Sequence, residues 1–231
     1  MKNKAQSTVR IYELLFDAKV DGPLPLRERS KINKLDQILQ AARELFARVD
    51  YEAVKMDDIA ERAEVSKGTL YSYFATKETV LVALFAQAQD QIDASRAAFL
   101  RDCDVRQPVA TMVRYEELLN EMGAALFPIG LWRIVYAARV SNRALKPGLL
   151  LASISESIMD DRREMLSRMI AAGALREDLD VPSVSRVLQA VGRLHWEDYI
   201  SDPEPDLART NANNAADIAN VLAPYVRLPQ T

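Results

Sequence analysis

The residues best suited to recognise another molecule lie in one run, Lys67-Gly68-Thr69-Leu70-Tyr71-Ser72-Tyr73. On a helix Leu70 and Phe74, four residues apart, share one face. Lys67, Thr69, Ser72 and Tyr73 then point mostly the other way. An ammonium, two hydroxyls and a phenol on one side of a short helix can hydrogen-bond base edges and phosphates in the major groove of duplex DNA. Gly68 has no side chain, so the backbone there can approach closely. Ser66 is placed to cap the helix. Just upstream, Ile59, Ala60 and Ala63 form the inner face of another short helix. Ala60 is small enough to let its neighbour approach, and Val65 fills the turn between them. This is the physics of a helix-turn-helix. A plain core role for Tyr71, Tyr73 and Phe74 is the competing reading; it fits Phe74, whereas at least one phenol is expected to face outward.

These short helices need partners to hold them. Ile32, Leu35, Ile38, Leu39, Ala42, Leu45, Phe46 and Val49 recur at helical spacing and supply an apolar stripe. A long helix starts near Lys77, with Leu81, Leu84, Phe85, Ala88 and Ile92 on one face and Thr76 as its cap. Beyond Pro108 the pattern stays helical, with helices expected at about 106–122, 128–143, 147–172, 182–200 and 207–223. Pro147 and Pro182 suit first turns and Gly173 a C-terminal cap. The fold class expected is all-α. Residues 1–26 read as an extension and linker with no assigned chemistry, 27–76 as a three-helix DNA-binding domain, and 77–231 as a larger helical effector and dimerisation domain.

Composition narrows the function. The 231 residues are 49% hydrophobic and carry a net charge of −3. Residues 1–80 hold 14 basic and 13 acidic side chains, so DNA affinity must come from placed charges. Arg27, Arg29, Lys31 and Lys34 read as a basic arm able to track phosphate or enter a minor groove, or as an ordinary solvated run. Cys103 and His195 are the only residues of their types, which excludes an intrachain disulfide and thiolate or multi-histidine metal sites. With no phosphate-binding glycine loop and no acid–base constellation, neither an enzyme nor a cofactor is expected. No apolar run is of membrane-spanning length, and a cytoplasmic protein without membrane partners is expected.

The run Ile59-Ala60, Val65-Ser66-Lys67-Gly68-Thr69-Leu70-Tyr71-Ser72-Tyr73-Phe74 and Lys77-Glu78, preceded by Ala42-Arg43-Glu44-Leu45-Phe46 and Tyr51-Glu52-Ala53, resembles the signature of the TetR/AcrR family of transcriptional regulators over residues 27–85. The resemblance implies a homodimer on a palindromic double-stranded operator, a repressor more often than an activator, and a C-terminal domain that takes a small-molecule effector. It also implies DNA contacts from Thr69, Tyr71, Tyr73 and Lys77, with Tyr71 and Lys77 on phosphates. Three positions depart from the family pattern. Glu64 stands where glycine is usual in the turn. Lys55 stands where threonine often caps, a role Asp57 is expected to take. Asp50 replaces a glycine. Pro128–Tyr136 and Gly173–Arg176 are more faintly similar to AefR-type C-terminal domains.

Effector candidates are Tyr115, Met122, Phe127, Trp132, Arg133, Tyr136, Arg139 and His195, each set against ordinary core packing or ion pairing. Arginines in such a pocket would favour an anionic or carbonyl-bearing effector. For the dimer interface the candidates are Val184, Leu188, Val191 and Gly192, with Ala212, Ala215, Ala216, Ile218, Ala219 and Leu222, because small residues permit close helix crossings. Effector binding would shift the population toward a conformer with misplaced recognition helices. The alternative function is a helical adaptor that keeps the fold without specific DNA contact.

Overall fold

The computed structural model describes Tyr12, residues 25–141 and residues 146–227; the side chains of Asp90 and of residues 138–154 lie outside the description. Among the described residues there are nine α-helices: α1 (Leu26–Arg48), α2 (Met56–Arg62), α3 (Lys67–Tyr73), α4 (Lys77–Asp102), α5 (Pro108–Leu126), α6 (Ile129–Ser141), α7 (Lys146–Ala171), α8 (Val181–Ser201) and α9 (Leu207–Leu222). No single one of them is long and apolar enough to cross a membrane. Two compact units emerge. The first holds residues 1–94 and 130–150, the second 95–129 and 151–231. The boundary read from the sequence at residue 76 marks the start of α4, but Val80, Leu81, Leu84 and Phe85 of that helix are buried in the first unit.

In the first unit α1 buries Ile32, Leu35, Ile38, Leu39, Ala42 and Phe46. Leu45 is only half-buried, and Val49 has left the helix in an extended conformation, exposed. Tyr51 takes the inner position instead, its ring 5.1 Å from that of Phe46. Trp132 of α6 packs edge-on against Phe85, with centroids 4.9 Å apart.

The turn between α2 and α3 carries the one non-glycine residue with positive φ among the described residues, Glu64 at 54°. An L-residue pays for the left-handed region through its Cβ, by on the order of 1 kcal/mol. Glu64→Gly is therefore expected to stabilise the protein by roughly 0.5–1 kcal/mol, read as a higher midpoint in urea unfolding. An unchanged or lower midpoint would refute the strain.

The second unit is built on an apolar cluster of Met112, Tyr115, Met165, Leu166, Met169, Leu175, Leu179, Val184, Leu188, Ile218 and Leu222. Gly173 ends α7 with φ 73°, as expected of a left-handed cap. The residues just after α9 are tied back to this turn: the Arg176 N–H donates to the Tyr225 carbonyl at 2.8 Å and the Arg227 N–H to that of Ala174 at 3.0 Å.

Two buried ion pairs interrupt the apolar packing. Arg162 meets Glu116 at 2.6 Å and also donates to Gln189. Arg96 meets Asp161 at 2.6 Å and Ser157 at 2.7 Å, while the Tyr115 hydroxyl donates to the same Asp161 oxygen at 2.5 Å. A Cβ on Gly192 would lie 2.6 Å from Glu116 Oε2. Glycine is what lets α8 pass the Glu116–Arg162 pair.

Candidate nucleic-acid interface

The helix-turn-helix is assembled by short-range contacts. Ile59, Ala60 and Ala63 are buried, and the Val65 N–H donates to the Ala60 carbonyl at 3.0 Å, closing the turn. Ser66 caps α3: its Oγ accepts the Thr69 N–H at 3.1 Å. Leu70 and Phe74 are buried and anchor α3 from beneath. The cap of α2 differs from expectation. Asp58, not Asp57, accepts the Lys55 N–H at 2.8 Å, because the carboxylate three residues into the helix reaches back to its start. Asp57 instead accepts from Lys67 at 2.6 Å, a charge-assisted bond that pulls the lysine pKa up.

The outer face of α3 presents Lys67, Gly68, Tyr71 and Ser72, all exposed, with Thr69 half-buried. The Tyr71 side chain is 52% exposed. The hydroxyls are locally ordered: Ser66 Oγ and Thr69 Oγ1 lie 2.8 Å apart, and Ser72 donates to the Thr69 carbonyl at 2.7 Å. Each oxygen keeps acceptor capacity toward a ligand.

Two expected DNA contacts are turned inward. Lys77 donates to the Tyr51 carbonyl at 2.5 Å, sits 4.2 Å from the Tyr51 ring centroid, and is only 15% exposed. The reason is the turn after α1, whose carbonyls need a donor that a cation over an aromatic face supplies well. Tyr73 is half-buried and its hydroxyl donates to the Lys31 carbonyl at 3.0 Å, joining the end of α3 to the start of α1. Burial raises its pKa. Arg27, Arg29 and Lys31 lie in the first turns of α1, which begins at Leu26, so they are helical and offer no extended segment for a minor groove. Arg27, Arg29 and Lys34 are exposed there.

The effector candidates are divided between the two units. Trp132, Arg133 and Tyr136 belong to the first unit; Tyr115, Met122, Phe127 and His195 belong to the second. Arg133 is exposed, because Trp132 beside it takes the inner position on α6. The Arg139 side chain lies outside the described residues. The Tyr115 phenol is committed to Asp161. His195 Nε2 lies 2.8 Å from Asp217 Oδ2, a link between α8 and α9. Met122 is half-buried and Phe127 buried.

The dimer candidates are likewise redistributed. Val184, Leu188, Ile218 and Leu222 are buried in the second unit's own core, Val191 packs against it, and Gly192 faces the Glu116–Arg162 pair. Ala215 and Ala219 are half-buried, while Ala212 and Ala216 are exposed. What the sequence reading missed is a second apolar stripe on α8, where Val187 and Leu194 are 46% and 53% exposed with Ala190 between them. The i, i+3, i+7 spacing of those three residues was a usable signal, hidden by the stronger inward stripe.

A family model described as bacterial regulatory proteins, tetR family, matches residues 38–84. The transcriptional regulator TcmR of Streptomyces glaucescens is 30% identical over 207 residues, 81% of each chain. The transcriptional repressor KstR of Rhodococcus jostii is 39% identical over 73 residues, covering 32% of this chain and 34% of KstR, so the match spans about a third of that relative. Among solved structures, FadR of Thermus thermophilus, in complex with lauroyl-CoA, is similar with a TM-score of 0.61 at 22% identity, over 85% of this chain and 98% of that one. At that identity the likeness is one of fold.

Proposed function

The chain belongs to the TetR family of transcriptional regulators, and from that premise we propose that it is a homodimeric repressor, seated on operator DNA by α3 and released by a small-molecule effector. The observation that carries this reading is the exposed face of α3: Lys67, Gly68, Thr69, Tyr71 and Ser72 stand outward on a helix held from beneath by Leu70 and Phe74. Tyr71 and Lys67 are the phosphate contacts in this reading, and Thr69 and Ser72 the groups nearest base edges. Tyr73 and Lys77 support the helix instead of reading DNA.

Two α3 helices must present themselves to two half-sites, which requires a two-fold dimer. The exposed apolar residues Val187, Ala190 and Leu194 of α8, with Ala212 and Ala216 of α9, are the proposed isologous face. The helix α4 is continuous from Lys77 to Asp102 and contributes to both units, which suits it to carry an effector-driven change to α3. The lauroyl-CoA in the FadR complex makes acyl-CoA thioesters the first effector class to screen.

The test is selection of duplexes from a random pool by the full chain, followed by titration at several salt concentrations. Enrichment of an inverted repeat, bound with an affinity that falls steeply with salt, is the expected result. Binding without sequence preference, or none, would replace the repressor with the adaptor reading. Specific binding that no acyl-CoA or other metabolite alters would remove effector control alone.

A further inference from the structure

Tyr12 precedes α1 by more than ten residues, yet its side chain is only 2% exposed. The Lys31 ammonium stands 6.0 Å from the centroid of its ring, and Lys31 is the residue whose carbonyl accepts the Tyr73 hydroxyl. Tyr12 thus lies beside Lys31 in the second turn of α1, the residue that ties down the last residue of α3. The proximity of the two phenols also contributes to the raised pKa of Tyr73, after burial.

We propose that Tyr12 is a positioning residue for the recognition helix: by packing at the Tyr73–Lys31 hydrogen bond it fixes the C-terminal end of α3 against α1. The physical case is geometric. A seven-residue helix has too few internal hydrogen bonds to hold its own direction, so its angle is set by what anchors it. Leu70 and Phe74 anchor one side from beneath. The Tyr73 hydroxyl is a single lateral tie, half-buried, and a hydrogen bond open to water competes with solvent and is weak. The buried Tyr12 ring beside Lys31 limits that competitor's approach. The same ring holds the Lys31 ammonium by cation–π attraction, which keeps that charge away from indiscriminate phosphate contact.

The inference rests on α3 being the DNA reader, but its first test does not. Hydrogen exchange of the Leu70–Phe74 amides in the DNA-free protein should be several-fold faster in Tyr12→Leu than in wild type, and near wild type in Tyr12→Phe, which keeps the ring. Tyr73→Phe should speed the same amides, and the Tyr12→Leu/Tyr73→Phe pair should add little beyond either single change. On the duplex selected by the wild-type chain, Tyr12→Leu should bind about tenfold more weakly, while binding to a scrambled duplex holds or strengthens. A loss of general stability would weaken both alike. Wild-type exchange at Leu70–Phe74 in Tyr12→Leu overturns the proposal. If the wild-type chain selects no duplex, the repressor reading fails while the exchange result still decides the role of Tyr12.

Discussion

Arg162→Met is expected to destabilise the protein by about 3–5 kcal/mol, because it leaves the Glu116 carboxylate buried without its counter-charge. Both partners are almost fully enclosed, at 3% and 5% side-chain exposure, and lie 2.6 Å apart. For a chain of this size the loss is a drop on the order of 10 °C in the unfolding midpoint. Its pH dependence identifies the cause. Burial pushes the Glu116 pKa up, and Arg162 beside it pulls the other way. Without the guanidinium only the upward push remains. A carboxyl whose folded pKa exceeds its unfolded one carries no penalty below the unfolded value, near 4.3, and a growing one as pH rises through the folded value. The deficit of Arg162→Met should therefore be largest at neutral pH and shrink as pH falls toward about 4. Urea unfolding of wild type and variant at pH 7.5 and pH 4.5 measures this. A deficit that does not change with pH would show that the cost is lost packing. Glu116→Leu together with Arg162→Met should recover most of the stability, since an apolar pair needs no counter-charge.

That ion pair also marks where sequence reasoning stops. Glu116 and Arg162 each sit on an amphipathic helix among other charges, and 46 residues separate them in the chain. Nothing local distinguishes a buried charge from a solvated one. The one sequence trace is Gly192, which reads equally well as a small residue for a dimer crossing. By contrast, the helix-turn-helix is legible because its determinants are neighbours: Ser66 caps a helix three residues on, Leu70 and Phe74 are one turn apart, and Glu64 occupies the turn position where glycine is usual. Its positive φ follows from the family pattern. The ties made by Tyr73 and Lys77 are hidden in the sequence for the opposite reason. Their partners, the Lys31 and Tyr51 carbonyls, are 42 and 26 residues away, and a polar side chain at the rim of a recognition helix looks the same whether it faces DNA or the next helix. The apolar pattern of α8 fails differently, since it carries two stripes and periodicity alone does not say which one folds inward.

Gly68→Glu is expected to abolish specific DNA binding while leaving the fold intact. Gly68 is the second residue of α3, exposed, and a Cβ built on it meets nothing within 4 Å. A side chain there therefore has room. Glutamate is a better helix former than glycine, and a negative charge in the first helical turn favours the positive end of the helix dipole. The unfolding midpoint should stay the same or rise slightly. On DNA the same carboxylate would face phosphates and base edges at close range, where like-charge juxtaposition costs several kcal/mol, a loss of about 100-fold or more in affinity. Gly68→Lys separates charge from bulk: with the same reach and the opposite sign it should strengthen binding to scrambled duplexes while blurring preference for the selected one. Gel-shift titration of the three proteins against both duplexes, beside thermal unfolding, makes the comparison. Wild-type affinity in Gly68→Glu would mean that α3 does not enter the groove, and the chain would then be a helical interaction protein built on a recognition-helix scaffold.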